Sequence, residues 1–104
     1  MLRSARHVAR RLEVLPAALE EALAATRWYL ERDERVAEAF EVELSRAFDR
    51  IDRVPETWPE HHHGTRRVLL RRFPYEVIYK IYSEVALIVA VAHSKRKPGY
   101  WRYR

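Results

Sequence analysis

The chain of 104 residues has no cysteine, only two glycines, and no apolar run long enough to cross a bilayer. Without cysteine there is no disulfide framework, no thiolate metal site and no thiol nucleophile. That absence fits a reducing compartment, and a soluble cytoplasmic protein is the expectation. Gly64 and Gly99 stand too far apart to build a phosphate-cradling loop. None of Ser4, Ser45, Ser83 and Ser94 sits in the glycine setting of a nucleophile elbow. The opening "MLRSARHVARR" lacks the apolar segment of a secretory signal. The length is that of one domain, residues 1–104, in which folding buries roughly two-thirds of the unfolded surface.

What the chain does have is charge, unevenly spread. The formal net charge is +5. Residues 15–63 carry six arginines against twelve acids, whereas residues 64–104 carry ten cations against two acids. A basic third that also holds tyrosines and Trp101 calls for a polyanionic or acidic partner.

Periodicity divides the chain into two halves. "LEVLP", residues 12–16, reads as a short strand stopped by Pro16, which suits the first turn of a helix. "AALEEALAATRWYLER" is rich in strong helix formers, with Leu19, Leu23 and Leu30 on one stripe with Ala22, Thr26 and Tyr29. Asp33 is the expected N-cap of a second helix, whose apolar face is Ala37, Phe40, Leu44, Ala47, Phe48 and Ile51. Pro55 ends it, and "PETWPEHHHG" is a loop. Residues 65–73, 75–82 and 85–93 then read as three strands rich in Val, Ile, Leu and Tyr.

A two-residue turn at Ser83-Glu84 places Tyr82 opposite Val85, Lys80 opposite Leu87 and Ile78 opposite Val89. In that register Tyr75, Val77, Tyr79, Ile81, Ala86, Ile88, Ala90 and Ala92 face the helices. Glu76, Ile78, Lys80, Tyr82, Leu87, Val89, Val91 and His93 share the other face, which calls for a cover or a partner. The predicted fold is α+β: an N-terminal short strand, a helical hairpin, then a three-stranded antiparallel meander, with the helices packed on one face of a small sheet. Residues 1–11 form a basic N-terminal extension and residues 94–104 a basic aromatic tail.

This order, with "RRFPYEVIYKI", "TRWYLERD" and "VALIVAVAHSKRKPGYW", resembles the RelE/ParE superfamily of bacterial toxins over roughly residues 12 to 101. The most specific parts are Phe73-Pro74-Tyr75, Ile78-Tyr79, and the Ala92-His93 exit followed by Arg96, Pro98, Tyr100 and Trp101. The resemblance implies the growth-inhibiting toxin of a type II toxin–antitoxin module, held inactive in a hetero-oligomer by a cognate acidic antitoxin, with no cofactor and no membrane. RelE-like members cut mRNA on the ribosome, whereas ParE-like members inhibit DNA gyrase. The helical hairpin and "FPYEVIY" resemble the ParE-like branch. A degenerate member acting only as a binding subunit is a third reading.

If the chain is RelE-like, the resemblance places catalysis on His93, Arg96 and Tyr100. RNA cleavage needs a base for the 2′-hydroxyl, cations for the phosphate and an acid for the leaving oxygen. Histidine is the side chain whose unperturbed pKa lies nearest neutrality, so His93 suits either proton-transfer role. Target- or antitoxin-binding candidates are Arg71, Arg72, Lys80, Lys95, Arg96, Lys97 and Trp101. Arg71 and Arg72 alternate across their strand, so at most one of them faces a groove. Trp101 is expected to turn inward and cap the sheet, while for Tyr100 capping and base stacking stay open. His61, His62 and His63 are adjacent on a loop and cannot converge on one ion, so no metal site is expected.

Overall fold

A computed structural model describes residues 10–104 of the protein. Most of the expected N-terminal extension therefore lies outside the described residues. The order is β1 (Arg11–Val14), α1 (Pro16–Leu30), α2 (Glu34–Arg53), β2 (Arg66–Leu69), β3 (Tyr75–Ile81) and β4 (Val85–His93), with single 3-10 turns at Pro55–Thr57 and His62–Gly64. The sheet order is β1-β4-β3-β2, and the two helices pack as a hairpin on one face. β2, β3 and β4 form the antiparallel meander, while β1 adds to β4 in parallel, Arg11 beside Val85 and Val14 beside Ile88. The architecture is the expected α+β one.

The helix boundaries follow from single residues. Pro16 opens α1, where its missing N–H has no partner to lose. Leu15 just before it stays extended and donates its N–H to Ile88 O at 3.0 Å, so the ladder runs straight into the helix. The Asp33 carboxylate accepts the Arg35 N–H at 2.9 Å and caps α2. Pro55 follows the last residue of α2 after Val54.

The buried stripe of α1 is the expected one only in part: Ala22 enters the core and Tyr29 packs against it, but the leucines do not. Leu19, Leu23 and Leu30 are each about half exposed, and the helix packs through Ala18 and Ala25 beside Ala22. Both stripes obey helical spacing, and they differ by one residue, or about 100° around the helix. Alanines let the axis approach the sheet, and close approach decided between them. On α2 the expected face is the buried one: Ala37, Phe40, Leu44, Ala47 and Ile51 enter the core, with Phe48 packed at its margin. Between helices and sheet lie Phe40, Ile51, Val77, Tyr79, Ile88 and Val91. The Tyr79 hydroxyl donates to Pro55 O at 2.6 Å, which ties the loop after α2 to the middle of β3.

The hairpin register holds at the turn and fails beyond it. Tyr82 N–H bonds Val85 O, Lys80 pairs with Leu87, and Tyr79 pairs with Ile88. A bulge then gives Ile78 opposite Ala90, Val77 opposite Val91 and Tyr75 opposite His93. One extra residue reverses the faces of everything after it. Val91 and His93 therefore turn to the helix side, and Ala90 and Ala92 join Ile78 and Val89 on the other. That second face already has a cover, because Trp101 is buried against it with Tyr100 and Leu15 alongside. The expected need for an outside partner there is met by the chain's own tail.

β2 is also shorter than the expected 65–73. The chain leaves the strand after Leu69, and the Glu43 carboxylate of α2 accepts the N–H groups of Arg71 at 2.6 Å and Arg72 at 3.1 Å. A turn held by one side chain replaces the end of the ladder, so Arg71 and Arg72 do not alternate across a strand.

Candidate functional site

The bulge in β4 builds the site. By turning Val91 and His93 toward α1 it opens a groove of about 630 Å³ between that helix and the end of the sheet. Trp28, Tyr29, Pro74 and Tyr75 wall it, and His93, Arg96 and Glu21 stand on its rim. Phe40 and Phe73 back Tyr29 and Tyr75 with ring centroids 5.2–6.5 Å apart, edge to face except for the tilted Tyr29–Phe40 pair. Trp28 is half exposed, and Arg32 stacks over it at 3.6 Å.

Two donors face this aromatic wall. Tyr75 meets the His93 ring edge-on at 5.0 Å, and the Lys95 N–H donates to His93 Nδ1 at 3.0 Å. A neutral His93 therefore carries its proton on Nε2. The Arg96 guanidinium lies over the Tyr100 ring at 3.8 Å. Lys95, Arg96 and Lys97 are all exposed on the turn after β4. The arrangement is an apolar slot with a cationic lip, suited to an aromatic or aliphatic side chain flanked by an acidic group.

Glu21 locks the tail to this groove. Its carboxylate accepts from Tyr100 Oη at 2.6 Å, from Arg104 Nη1 at 2.9 Å and Nη2 at 3.0 Å, and from the Val91 N–H at 3.0 Å. β1 runs out beside Ile88, so the Val91 N–H on the edge of β4 finds Glu21 where a strand neighbour ends. Burial opposes ionisation of Glu21, but the hydrogen bonds from Arg104, Tyr100 and Val91 together outweigh it and hold the carboxyl below its ordinary value. Burial, and then the hydrogen bond to Glu21, push the Tyr100 phenol far above the ordinary tyrosine range.

The candidate residues do not form one cluster. His93 and Arg96 meet at the groove, with Tyr100 behind Arg96 and committed to Glu21. Trp101 is a core residue of the second face, as its inward turn implied. Lys80 lies at the other end of the hairpin, opposite Leu87 rather than near His93. Arg72 reaches back to Glu43 at 3.4 Å, and Arg71 borders a separate trough between α2 and β2. His61 and His62 meet edge-on at 4.3 Å while His63 meets Trp101 edge-on at 6.0 Å, and among the described residues no group of three metal-binding side chains converges. Sequence reasoning missed Glu21, Tyr75 and Arg104 as parts of the site. Glu21 and Trp28, seven apart on α1, share a helix face, and that spacing was a usable signal.

Among the described residues no helix is long and apolar enough to cross a membrane. A comparison with curated proteins yields no match. Two solved structures are similar in fold. One is titled as a chromosomal ParDE TA system from P. aeruginosa, with TM-score 0.73 and 15% identity over 84% of this chain and 98% of that one. The other is titled as the toxin-antitoxin complex RelBE2 from Mycobacterium tuberculosis, with TM-score 0.53 and 22% identity over 84% of this chain and 93% of that one. Residues 12–98 match the family model described as ParE toxin of type II toxin-antitoxin system, parDE. Strand order, helical hairpin and family match agree, and the chain belongs to the ParE family of toxins of type II toxin–antitoxin systems.

Proposed function

We propose that this toxin arrests growth in the bacterial cytoplasm by binding DNA gyrase, and that it does not cut mRNA. The observation that carries the reading is the engagement of Tyr100. Its hydroxyl proton is given to Glu21, and its pKa lies far above neutrality, so it is poorly placed to protonate a leaving oxygen. His93 is oriented by a backbone N–H on Nδ1, and among the described residues no carboxylate bonds its ring. A nuclease would need a proton donor and a proton acceptor on either side of a phosphate. The groove offers one imidazole and a cationic lip, which suits binding.

The antitoxin is a small acidic protein that forms a hetero-oligomer with the toxin, in keeping with the basic last third and with the toxin–antitoxin systems to which the similar structures belong. The test is purified protein added to gyrase and supercoiled DNA. Stabilised cleavage complexes and lost supercoiling support the proposal, in wild type and His93→Ala alike. Unimpaired gyrase at saturating toxin refutes it.

A further inference from the structure

We infer that the outer edge of β2 and the arginine row of α2 form a docking trough for an extended acidic segment of the antitoxin, which adds to the sheet as a fifth strand. The inference rests on the toxin–antitoxin reading above and adds where and how the partner is held.

The edge is open by its own hydrogen-bond alternation. Leu70 N–H bonds Tyr75 O at 3.0 Å, so the next inward-facing residues along β2 are Val68, opposite Val77, and Arg66, opposite Tyr79. The N–H and C=O groups of Arg67 and Leu69 then point away from β3. Among the described residues nothing bonds these outward backbone groups. An edge strand of this kind is a template for another strand unless it is covered or charged. Here Leu69, the most exposed leucine among the described residues at 62%, lies on that edge.

The charge beside the edge names the occupant. Arg46, Arg50 and Arg53 repeat at i, i+4 and i+7 along α2, and with Arg71 they line a trough of about 370 Å³ against Val68, Leu69 and Leu70. The two acids in the trough are already used: Asp49 pairs with Arg53 at 3.1 Å, and Glu43 holds the Arg71 and Arg72 amides. Among the described residues, the guanidinium groups of Arg46, Arg50 and Arg71 have no carboxylate partner. A strand laid along β2 would turn alternate side chains toward α2 and the others toward the face of Leu69. Carboxylates suit the first set and apolar side chains the second. The wanted segment alternates acidic and apolar residues, and main-chain bonds supply much of its affinity.

The probe is a capped peptide of alternating glutamate and valine about six residues long, the usual length of a strand. It is titrated at low salt onto the whole protein, with amide exchange followed by NMR. Expected are saturable binding, slowed exchange at Arg67 and Leu69, and affinity that falls as salt rises. Leu69→Pro removes an outward donor and leaves every bond to β3 in place, so it should weaken binding about tenfold or more. Leu69→Ala keeps the N–H and should bind within about threefold of wild type, and thermal unfolding checks that both variants fold. Arg46→Glu with Arg50→Glu should also abolish binding. Equal binding by Leu69→Pro and wild type, or no saturable binding at millimolar peptide, would overturn the inference. Growth arrest by the free toxin tests the toxin reading separately, so the two can fail independently.

Discussion

Removing the Glu21 carboxylate strips one acceptor from Tyr100 Oη, from the Val91 N–H and from both Arg104 nitrogens. The Glu21 and Arg104 side chains are 16% and 23% exposed, so the network is mostly withdrawn from water. Arg104 can turn to solvent and keeps Val89 O at 3.2 Å, so its loss counts for little. The Val91 amide and the Tyr100 hydroxyl have no such escape. At about 1.5 kcal/mol for each hydrogen bond to a charged group, Glu21→Ala should cost about 3 kcal/mol. For a domain of this size that lowers Tm by about 12 °C or more. Glu21→Gln keeps one acceptor oxygen and should lose about half as much. Urea unfolding gives the free energies, and the indole N–H resonance of Trp101 reports whether the tail stays docked. Acid supplies a further check. Because the folded carboxyl lies below the ordinary 4.5, its stabilisation is complete above that pH and is lost as pH falls through the lowered value. The gap between wild type and Glu21→Gln should close over that acidic window. A Glu21→Ala protein within about 0.5 kcal/mol of wild type would refute the reasoning.

Tyr79→Phe removes a buried hydroxyl from Pro55 O and should cost about 1 kcal/mol in urea unfolding. Burial raises the Tyr79 phenol from 10.0 to about 12, so the stability linked to it is complete below 10.0 and lost as pH rises toward 12; that alkaline decline should be smaller in Tyr79→Phe. Trp101→Ala should cost about 3 kcal/mol and expose the Ile78, Val89 and Ala92 face, measured by unfolding and by binding of an apolar dye. His61→Ser with His62→Ser should leave Tm unchanged within about 2 °C, since both rings are exposed on a loop. Chelator treatment that lowers Tm would show that the loop had been misjudged.

Pro16, Asp33 and Pro55 each do one physical job at a helix end, and that made the hairpin of helices legible without coordinates. The face of α2 was legible too, because its apolar and charged residues separate cleanly. On α1 an alanine stripe and a leucine stripe run side by side, and only the approach of the helix to the sheet chooses between them. The bulge in β4 left no mark, since any residue of "VALIVAVA" is small and apolar enough to be the extra one. Yet that one residue places His93 in the groove and turns Val91 toward Glu21. His93 and Arg96 were found because a strand ending in cations is visible in the sequence. Glu21 was not, because its partners lie 70 to 83 residues away.

Deleting residues 95–104 cannot separate function from folding, since the cut also removes Tyr100, Trp101 and Arg104 from the packed tail. The exposed Lys95 and Lys97 can be reversed without touching that packing. The direct measurement is colony survival after induction of His93→Ala and of Lys95→Glu with Lys97→Glu, both checked for a wild-type unfolding curve. Binding predicts that His93→Ala still arrests growth and that the double charge reversal does not. Survival with His93→Ala, together with arrest by the charge-reversed protein, would contradict it.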